Sequence, residues 1–234
     1  MERFRYDQFC PLARATEILG HRWVMLILRE LFVGPQRFSD LRRRLPGLSS
    51  SVLADRLLGL ERQGVVERRE IAPPTAATVY ELTTDGRALE PALIALSRWG
   101  ARFLDPAKSD EHAEPDWMGL AIAAFARSDA TPAHRFELLP FSENGEAVLR
   151  VAGGPEGTHV IRDELPVDAS IRAPVKVVMA LMSGLLSLEE VLATEGVRAE
   201  GDVESLADLP RLFEMELRTR ETNHPQNQPK GTSP

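Results

Sequence analysis

The fold of this chain is decided by the stretch CPLARATEILGHRWVMLILRELFVGPQRFSDLRRRLPGLSSSVLADRLLGLERQGVVERREIAPPTAATVYELT, residues 10–83. Two short helices are predicted on either side of the break Leu45-Pro46-Gly47-Leu48, and a short polar hairpin follows directly. A helix pair in front of a β-ribbon is the plan of a winged helix-turn-helix, which inserts one helix into the major groove of DNA. The stretch therefore predicts a DNA-reading module.

Capping and breaking residues divide this half into predicted elements. Ser39 is predicted as the N-cap of the third helix, Ser49 or Ser50 as the N-cap of the fourth, and Thr83 or Thr84 as the start of a long fifth helix. The helices are predicted over residues 12–19, 23–32, 39–45, 50–63 and 85–103, and the strands over 65–71 and 78–82. The fifth helix carries an apolar stripe of Leu89, Leu93, Leu96 and Trp99.

Charge is distributed unevenly along the 234 residues. The net charge is −7, but residues 1–104 hold 16 Arg and 12 acidic residues, a balance of +4, whereas residues 105–234 have a balance of −11. This asymmetry indicates a basic binding module joined to an acidic partner domain. The 43% hydrophobic content is enough for real cores and argues against wholesale disorder.

Several function classes are excluded by what the sequence lacks. The single cysteine, Cys10, excludes an intrachain disulfide framework and a cysteine-rich zinc site. No signal peptide is visible, and no run of 18 apolar residues is present to span a bilayer, so we expect a cytosolic, cytoplasmic chain with no membrane partner. No nucleophile–base pair, metal-ligand spacing or Gly-rich phosphate loop is recognisable, so we expect neither an enzyme nor a cofactor.

The first half resembles the HxlR-type winged helix-turn-helix regulators over about residues 8–104. The shared motifs are Cys10-Pro11, Gly20-His21-Arg22-Trp23, Leu28-Arg29-Glu30-Leu31, Gly34-Pro35, Arg37-Phe38-Ser39-Asp40-Leu41, Leu53 to Leu60, Tyr80-Glu81-Leu82-Thr83, Gly86 and Leu89-Glu90-Pro91. Members of that family are dimeric transcription factors. The resemblance implies a homodimer that pairs through the first helix and through the long helix after the wing.

The resemblance also makes residues 50–63 the recognition helix. Free N–H groups at its start favour a phosphate near Ser50 and Ser51, and Arg56 is able to reach guanine or phosphate. Ala54 and Asp55 depart from the polar or basic residues usual in the family; Asp55 either accepts a hydrogen bond from cytosine or pairs with a nearby Arg. The wing tip lacks the usual basic residue. The predicted DNA-binding residues are Arg37, Ser50, Ser51, Ala54, Asp55, Arg56, Arg68 and Arg69.

Cys10 has two interpretations. Several HxlR-type regulators carry a thiol here that senses oxidants or electrophiles, and a position just before a helix N-terminus favours the thiolate. The alternative is a structural thiol, because free cysteine usually behaves as a small buried apolar group. Cys10 is therefore a redox candidate only.

The second half is predicted to be a separate α+β unit. Residues 105–116 have the polar, proline-bracketed composition of a linker, residues 117–217 form the unit, and residues 218–234 are predicted to be a disordered tail. A helix is predicted over 117–126 and strands over 135–139, 146–151, 158–162, 169–172 and 197–200. Pro174, Ser187 and Asp202 are predicted to start further helices. Strands followed by helices indicate an α+β fold.

Residues 117–215 resemble the sterol-carrier-protein-2-like (SCP2-like) domain. The resemblance rests on the order of strand, apolar helix, Leu-Ser-x-Glu-Glu helix, short strand, Glu-Gly-Asp and final helix. It implies a hydrophobic cavity between a sheet and helices, although the same side chains at helical spacing also suit a plain core. The predicted pocket residues are Phe136, Leu138, Val148, Val178, Met179, Leu181, Met182, Leu185, Leu186, Val191 and Leu192.

Together these patterns predict a mainly α chain with an N-terminal winged helix-turn-helix (residues 1–104) and a C-terminal α+β SCP2-like domain. The predicted function is a homodimeric transcription regulator that binds a pseudo-palindromic operator in double-stranded DNA and responds to a small apolar ligand in its C-terminal domain. Two alternatives stay open: a regulator that senses through Cys10, and a lipid-binding or carrier protein without DNA function. Steep salt dependence of DNA binding separates the regulators from the carrier.

Overall fold

The first half of the chain is a winged helix-turn-helix. The computed structural model describes residues 5–71, 77–104, 111–161 and 165–215. Within these residues the first half contains the helices α1 (Pro11–Leu19), α2 (Val24–Val33), α3 (Phe38–Arg44), α4 (Ser50–Arg62), α5 (Thr84–Arg87) and α6 (Glu90–Ala101). Helix α3 and helix α4 are the predicted helix pair.

A three-stranded antiparallel sheet forms the wing among the described residues. Its strands are β1 (Gln36–Arg37), β2 (Val66–Ile71) and β3 (Ala77–Leu82), in the order β1-β3-β2. The β2–β3 hairpin runs from the pair Val66↔Leu82 to the pair Ile71↔Ala77, which confirms the predicted hairpin. The predicted tip at Pro73-Pro74 lies outside the described residues.

The apolar positions predicted at helical spacing form the core of this half. Leu53, Leu57 and Leu60 of α4 are buried in the same core as Ile27 and Leu31 of α2, which have no exposed surface. Burying such leucines stabilises the fold by about 1.5–3 kcal/mol each. The core therefore sets which face of α4 is left for solvent.

Two predicted helix boundaries in this half are wrong. Helix α3 begins at Phe38 with Arg37 as its N-cap, because Gln36 and Arg37 pair with β3 and the chain turns helical as soon as it leaves that strand. The single helix predicted over 85–103 is two helices, α5 and α6. Pro91 has no amide hydrogen for a bond to the carbonyl four residues earlier, so α5 does not continue through it and α6 starts at Glu90, with Leu89 as its N-cap.

The second half is an α+β unit built on one sheet. Its helices are α7 (Met118–Phe125), α8 (Val175–Met182) and α9 (Leu188–Leu192), with 3₁₀ segments at Pro115–Trp117 and Val203–Leu212. Its strands are β4 (Arg135–Ser142), β5 (Gly145–Glu146), β6 (Leu149–Ala152), β7 (His159–Ile161), β8 (Ala169–Pro174) and β9 (Arg198–Gly201). None of the helices in the described parts of the chain is long and apolar enough to cross a membrane.

The sheet is covered by helices on one face. Its order is β7-β6-β4-β8-β9, with β5 paired to β4; β4 and β8 are parallel and the other pairs are antiparallel. Along β4 the buried residues Phe136, Leu138 and Pro140 alternate with half-buried ones, as a strand with one covered face requires. The α+β prediction is confirmed. The last predicted helix is a 3₁₀ segment instead, and Pro210 within it cannot donate an α-helical bond.

The end of the predicted linker is packed rather than solvated. Residues 105–110 of that linker and the predicted disordered tail lie outside the described residues, but Glu114 is 4% exposed, Pro115 is buried, and the turn Pro115–Trp117 contacts α2. Polar composition predicted a solvated segment here, but Glu114 is buried because its carboxylate accepts a hydrogen bond from Asn144 (2.8 Å) and contacts His112 (2.9 Å). The boundaries of the two domains stay a prediction.

Candidate nucleic-acid interface

Helix α4 is positioned by its ends as well as by its core face. At its start the Ser49 side chain accepts a hydrogen bond from the backbone N–H of Val52 (3.4 Å). At its end Gly64 takes φ +71°, and the backbone N–H groups of Gly64 and Val65 return to the last carbonyls of the helix. A residue with a Cβ is disfavoured at that φ, so glycine lets the chain leave α4 directly into the wing.

The outward face of α4 is a continuous solvent-exposed stripe. Turning the leucine stripe inward leaves Ser51, Ala54, Asp55, Leu58 and Arg62 exposed. The structure thus brings together three predicted contact residues, Ser51, Ala54 and Asp55, while Ser50 is half-buried at the start of the helix. Leu58 and Arg62 were not predicted. The helical period, continued by four residues from Ala54 and then again from Leu58, identifies both.

Arg56 does not project outward with this stripe. Its Nε donates to the backbone carbonyl of Arg22 (3.2 Å), which directs the side chain toward the start of α2. There it borders a cleft of about 260 Å³ between α1 and α4, which Asp55, Leu58 and Arg62 of the stripe also line. The prediction that Arg56 points away from the core stripe into the groove is therefore not met in this conformation. Its role in DNA binding stays a proposal.

Basic side chains flank α4 on the side of α3. Arg37, the predicted contact just before α3, is exposed, and so are Arg42 and Arg43 on the last turn of the helix. In a helix-turn-helix the first helix of the pair crosses the DNA backbone, where such side chains meet phosphates. Arg42 and Arg43 were absent from the predicted contacts. The inward-facing Leu41 and Leu45 could have indicated them, because the residues between two buried positions of a short helix face solvent.

The two wing arginines have different surroundings. Arg68 and Arg69 are both exposed on β2. Arg69 donates from Nε and Nη2 to the two carboxylate oxygens of Glu81 on β3 (2.5 and 3.2 Å), and this hydrogen-bonded ion pair raises the pKa of Arg69 above its ordinary value. The pair neutralises Arg69, which leaves Arg68 as the stronger candidate for a phosphate contact.

The predicted pocket residues of the second half lie mainly in its packed core. Core members are Phe136, Leu138, Val178, Leu181, Met182 and Val191, and Met179 and Leu186 pack against them. Leu185 is half-buried. Val148, between β5 and β6, is 61% exposed, and Leu192, at the end of α9, is 42% exposed. These two assignments are wrong, because neither side chain faces the sheet–helix interior, and the tight packing of the others favours the plain-core interpretation.

Cys10 is a free thiol of intermediate exposure that directly precedes α1. Its neighbour Phe9 is fully exposed and Leu12 is largely exposed. The thiol therefore lies in an apolar surface segment and not in the core.

Comparisons with known proteins agree on the first half. The family described as HxlR-like helix-turn-helix matches residues 18–108. YvaP of Bacillus subtilis, an uncharacterised HTH-type transcriptional regulator, is 43% identical over 106 residues, which cover 44% of this chain and 97% of YvaP. The HTH-type transcriptional regulator YodB of the same organism is 35% identical over 101 residues, which cover 43% of this chain and 90% of YodB.

Among solved structures, the reduced form of YodB is 34% identical and has a TM-score of 0.37, with 42% of this chain and 98% of that chain covered. Residues 109–234 lie beyond the family match. The similarity nevertheless extends over almost the whole of YvaP, and both relatives are transcriptional regulators and not enzymes. The chain belongs to the HxlR-like helix-turn-helix family of DNA-binding transcriptional regulators.

Proposed function

We propose that this chain acts as a homodimer that reads a pseudo-palindromic operator with helix α4. The observation that carries the proposal is the exposed stripe of α4, which is flanked by Arg42 and Arg43 on one side and by Arg68 of the wing on the other. Two such helices entering successive major grooves, about one helical turn apart, require a two-fold symmetric site. The chromosome is the target, so the cytoplasm is the proposed place of action.

The contacts divide by their chemistry. The start of α4, with Ser51, faces phosphate or base edges, and Arg62 reaches guanine or phosphate from the last turn. Arg42, Arg43 and Arg68 are assigned to the phosphate backbone, where they set register and orientation without reading sequence. Arg56 contributes only after it releases the carbonyl of Arg22.

Dimerisation is supported by apolar side chains that the single chain leaves uncovered. Phe9 and Leu12 at the start of α1, and Leu96, Trp99 and Phe103 on and after α6, are all exposed. A monomeric protein rarely exposes so many large apolar side chains together. We assign both segments to the interface between two copies of the chain, in keeping with the family resemblance.

The test is selection of bound fragments from random duplex DNA with the purified full-length protein. The proposal expects an enriched sequence with two-fold symmetry, and an affinity for the selected duplex that falls steeply as salt rises. No enrichment, together with salt-independent behaviour, would leave the carrier alternative in place of the regulator.

A small apolar ligand in the second half is a further proposal. It is supported by the order β8, α8, α9, β9 and final 3₁₀ segment, which follows the element order of the SCP2-like resemblance. Because the side chains between sheet and helices are packed, a ligand has to displace part of that core, so it would bind in a second conformation of the domain. Titration of the full-length protein with a fatty acid and with a polyaromatic probe tests this, and the absence of saturable binding to either would reject it.

A thiol input through Cys10 is the alternative. It is supported by the partial exposure of Cys10 beside the apolar segment assigned to the dimer interface. With one thiol in each chain, oxidation either links two chains or caps the sulfur. DNA affinity measured before and after diamide treatment tests this input, and an unchanged affinity after complete oxidation would reject it.

A further inference from the structure

A polar cluster around the buried Glu30 joins the two halves of the chain. It consists of Arg29 and Glu30 of α2, Arg44 of α3, and Asp116 and Trp117 of the 3₁₀ turn that starts the second half; we call these five residues the junction cluster. Glu30 has no exposed surface, and the indole Nε1 of Trp117 donates to its Oε1 at 2.8 Å. Arg44 donates from Nη2 to Asp116 Oδ2. These two contacts join residues 87 and 72 positions apart in the chain.

Trp117 is held in this cluster from two sides. The guanidinium of Arg29 lies 3.5 Å from the centre of the Trp117 ring and also donates to Glu30 Oε1 from Nε (3.0 Å) and Nη2 (2.7 Å). A guanidinium that is stacked on a ring and also hydrogen-bonded to a carboxylate contributes more stabilising free energy than an exposed cation–π pair does. The second half is thus anchored against α2 by a guanidinium over one face of the indole and by a hydrogen bond from its Nε1.

Arg44 is shared unequally between two carboxylates. It is hydrogen-bonded to Asp116, whereas its Nη1 lies 3.6 Å from Glu30 Oε2, and both of these facing atoms are buried without a hydrogen bond. Burial lowers the pKa of Arg44, but the hydrogen bond that Arg44 donates to Asp116 and the attraction of the nearby carboxylates more than offset it, so the pKa lies above its ordinary value. A hydrogen bond needs about 3.2 Å or less. Arg44 is therefore hydrogen-bonded to Asp116 and is only ion-paired with Glu30.

The position of Arg44 bears directly on the DNA-reading helix. Arg44 is the last residue of α3, and the turn that follows leads straight into α4. Leu45 and Leu48 of that turn are buried, and the Leu48 N–H donates to the Leu45 carbonyl at 3.1 Å. Close-packed side chains transmit a displacement instead of absorbing it. A shift of Arg44 toward Glu30 therefore moves the end of α3 and the start of α4 together.

We propose that Asp116 is a positioning residue for DNA binding, which acts through Arg44 to hold α3 and α4 in the DNA-reading position. The second half of the chain thereby controls the affinity of the first half for DNA, whatever signal it receives. This proposal rests on the proposed operator binding, and it adds the route by which the two halves communicate. Neither Asp116 nor Arg44 needs to touch DNA.

The test compares Asp116→Ala, Asp116→Asn, Arg44→Met and the double variant Asp116→Ala/Arg44→Met in the full-length protein. Asp129→Ala is the matched control, because Asp129 also forms a hydrogen-bonded ion pair with an arginine, Arg127 (2.7 Å), but on the exposed surface of the second half. Affinity for the duplex recovered by selection is measured well below the melting temperature of every variant. Amide hydrogen exchange is followed in α3 and in the turn before α4.

We expect Asp116→Ala and Arg44→Met each to lower DNA affinity by about 2- to 30-fold. The double variant should be no weaker than Arg44→Met, because both changes break the same contact. Asp116→Asn keeps an acceptor oxygen and should recover part of the loss, while Asp129→Ala should bind as the unmutated protein does. Exchange in α3 and in the turn should be faster in Asp116→Ala than in Asp129→Ala.

Two results overturn the proposal. Equal DNA affinity and equal hydrogen exchange in Asp116→Ala and Asp129→Ala would mean that Asp116 positions nothing. A loss in Arg44→Met with a gain in Asp116→Ala would show that Arg44 contacts DNA itself. If the unmutated protein selects no duplex, operator binding fails, and hydrogen exchange alone then decides whether Asp116 positions α3 and α4.

Discussion

Replacing Trp99 by alanine is predicted to separate dimerisation from folding. Trp99 lies on α6 with 56% of its surface exposed, and its ring contacts only the edge-on ring of Phe103 (centroids 4.9 Å apart) among the aromatic neighbours described. A Trp side chain presents about 250 Å², so about 140 Å² of it is open to solvent. Covered by a partner at about 25 cal/mol per Å², that surface contributes about 3.5 kcal/mol per protomer as an upper bound.

A symmetric dimer contains two such side chains, but ordering and incomplete burial reduce the gain. If half of the total is realised, about 3.5 kcal/mol remains, and the dimer dissociation constant rises about 300-fold at 1.4 kcal/mol per tenfold. Sedimentation equilibrium over a dilution series measures this constant. The fold of the monomer should be almost unaffected, because truncating an exposed side chain opens no cavity, and surface substitutions usually change stability by less than about 0.5 kcal/mol.

Leu192→Ala is the matched control, since Leu192 is an exposed apolar residue in the second half, at 42%. It should leave the dissociation constant unchanged. An identical dissociation constant for Trp99→Ala and the unmutated protein would refute the assignment of α6 to the interface. A melting temperature that falls at protein concentrations where both proteins are monomeric would instead mean that Trp99 belongs to the core.

Three further predictions follow from individual contacts. Arg62→Ala should weaken DNA binding more than Arg56→Ala and should reduce the salt slope by about 1, because Arg62 lies on the exposed stripe whereas Arg56 is hydrogen-bonded to a backbone carbonyl. Titrations at several salt concentrations measure the affinity and the slope. A larger loss of affinity in Arg56→Ala would contradict the proposed interface. Ser187→Ala should lower the melting temperature by about 2–4 °C, the effect of losing an N-cap worth about 1 kcal/mol, and an unchanged melt would argue against the capping box. Hydrogen bonds from Ser187 lower the pKa of Glu190, so the share of that box that depends on the Glu190 carboxylate is complete above the unfolded pKa of Glu190 and is lost as the pH falls through the lower folded value; the difference between Ser187→Ala and the unmutated protein should narrow in acid melts. Cys10→Ser should bind DNA normally under reducing conditions and should abolish any diamide-induced disulfide dimer on non-reducing gels, and a persistent cross-linked dimer would contradict the single-thiol chemistry.

Much of the fold could be predicted because the interactions that decide it are local in the chain. Ser49 and Ser187 each accept a hydrogen bond from the backbone N–H three residues ahead, so residues within one helical turn specify where these helices start. The leucine spacing of α4 likewise specifies one buried face, and with it the exposed face that carries the candidate DNA contacts. The wing hairpin pairs strands that are separated by only a short connection. For these elements the sequence alone was sufficient.

Other features depended on contacts between residues far apart in the chain. The carbonyl that accepts the hydrogen bond of Arg56 belongs to Arg22, 34 positions away, so helical periodicity could not show that this side chain is directed toward α2. The acidic segment around Asp116 had the composition of a linker, yet Arg44, 72 positions earlier, draws Asp116 into a packed junction. A charged side chain is buried only where a partner meets it, and that partner is supplied by tertiary structure. The sequence determined most of the elements of this regulator, and the tertiary structure decided which of its charges stay exposed beside α4 and which join its two halves.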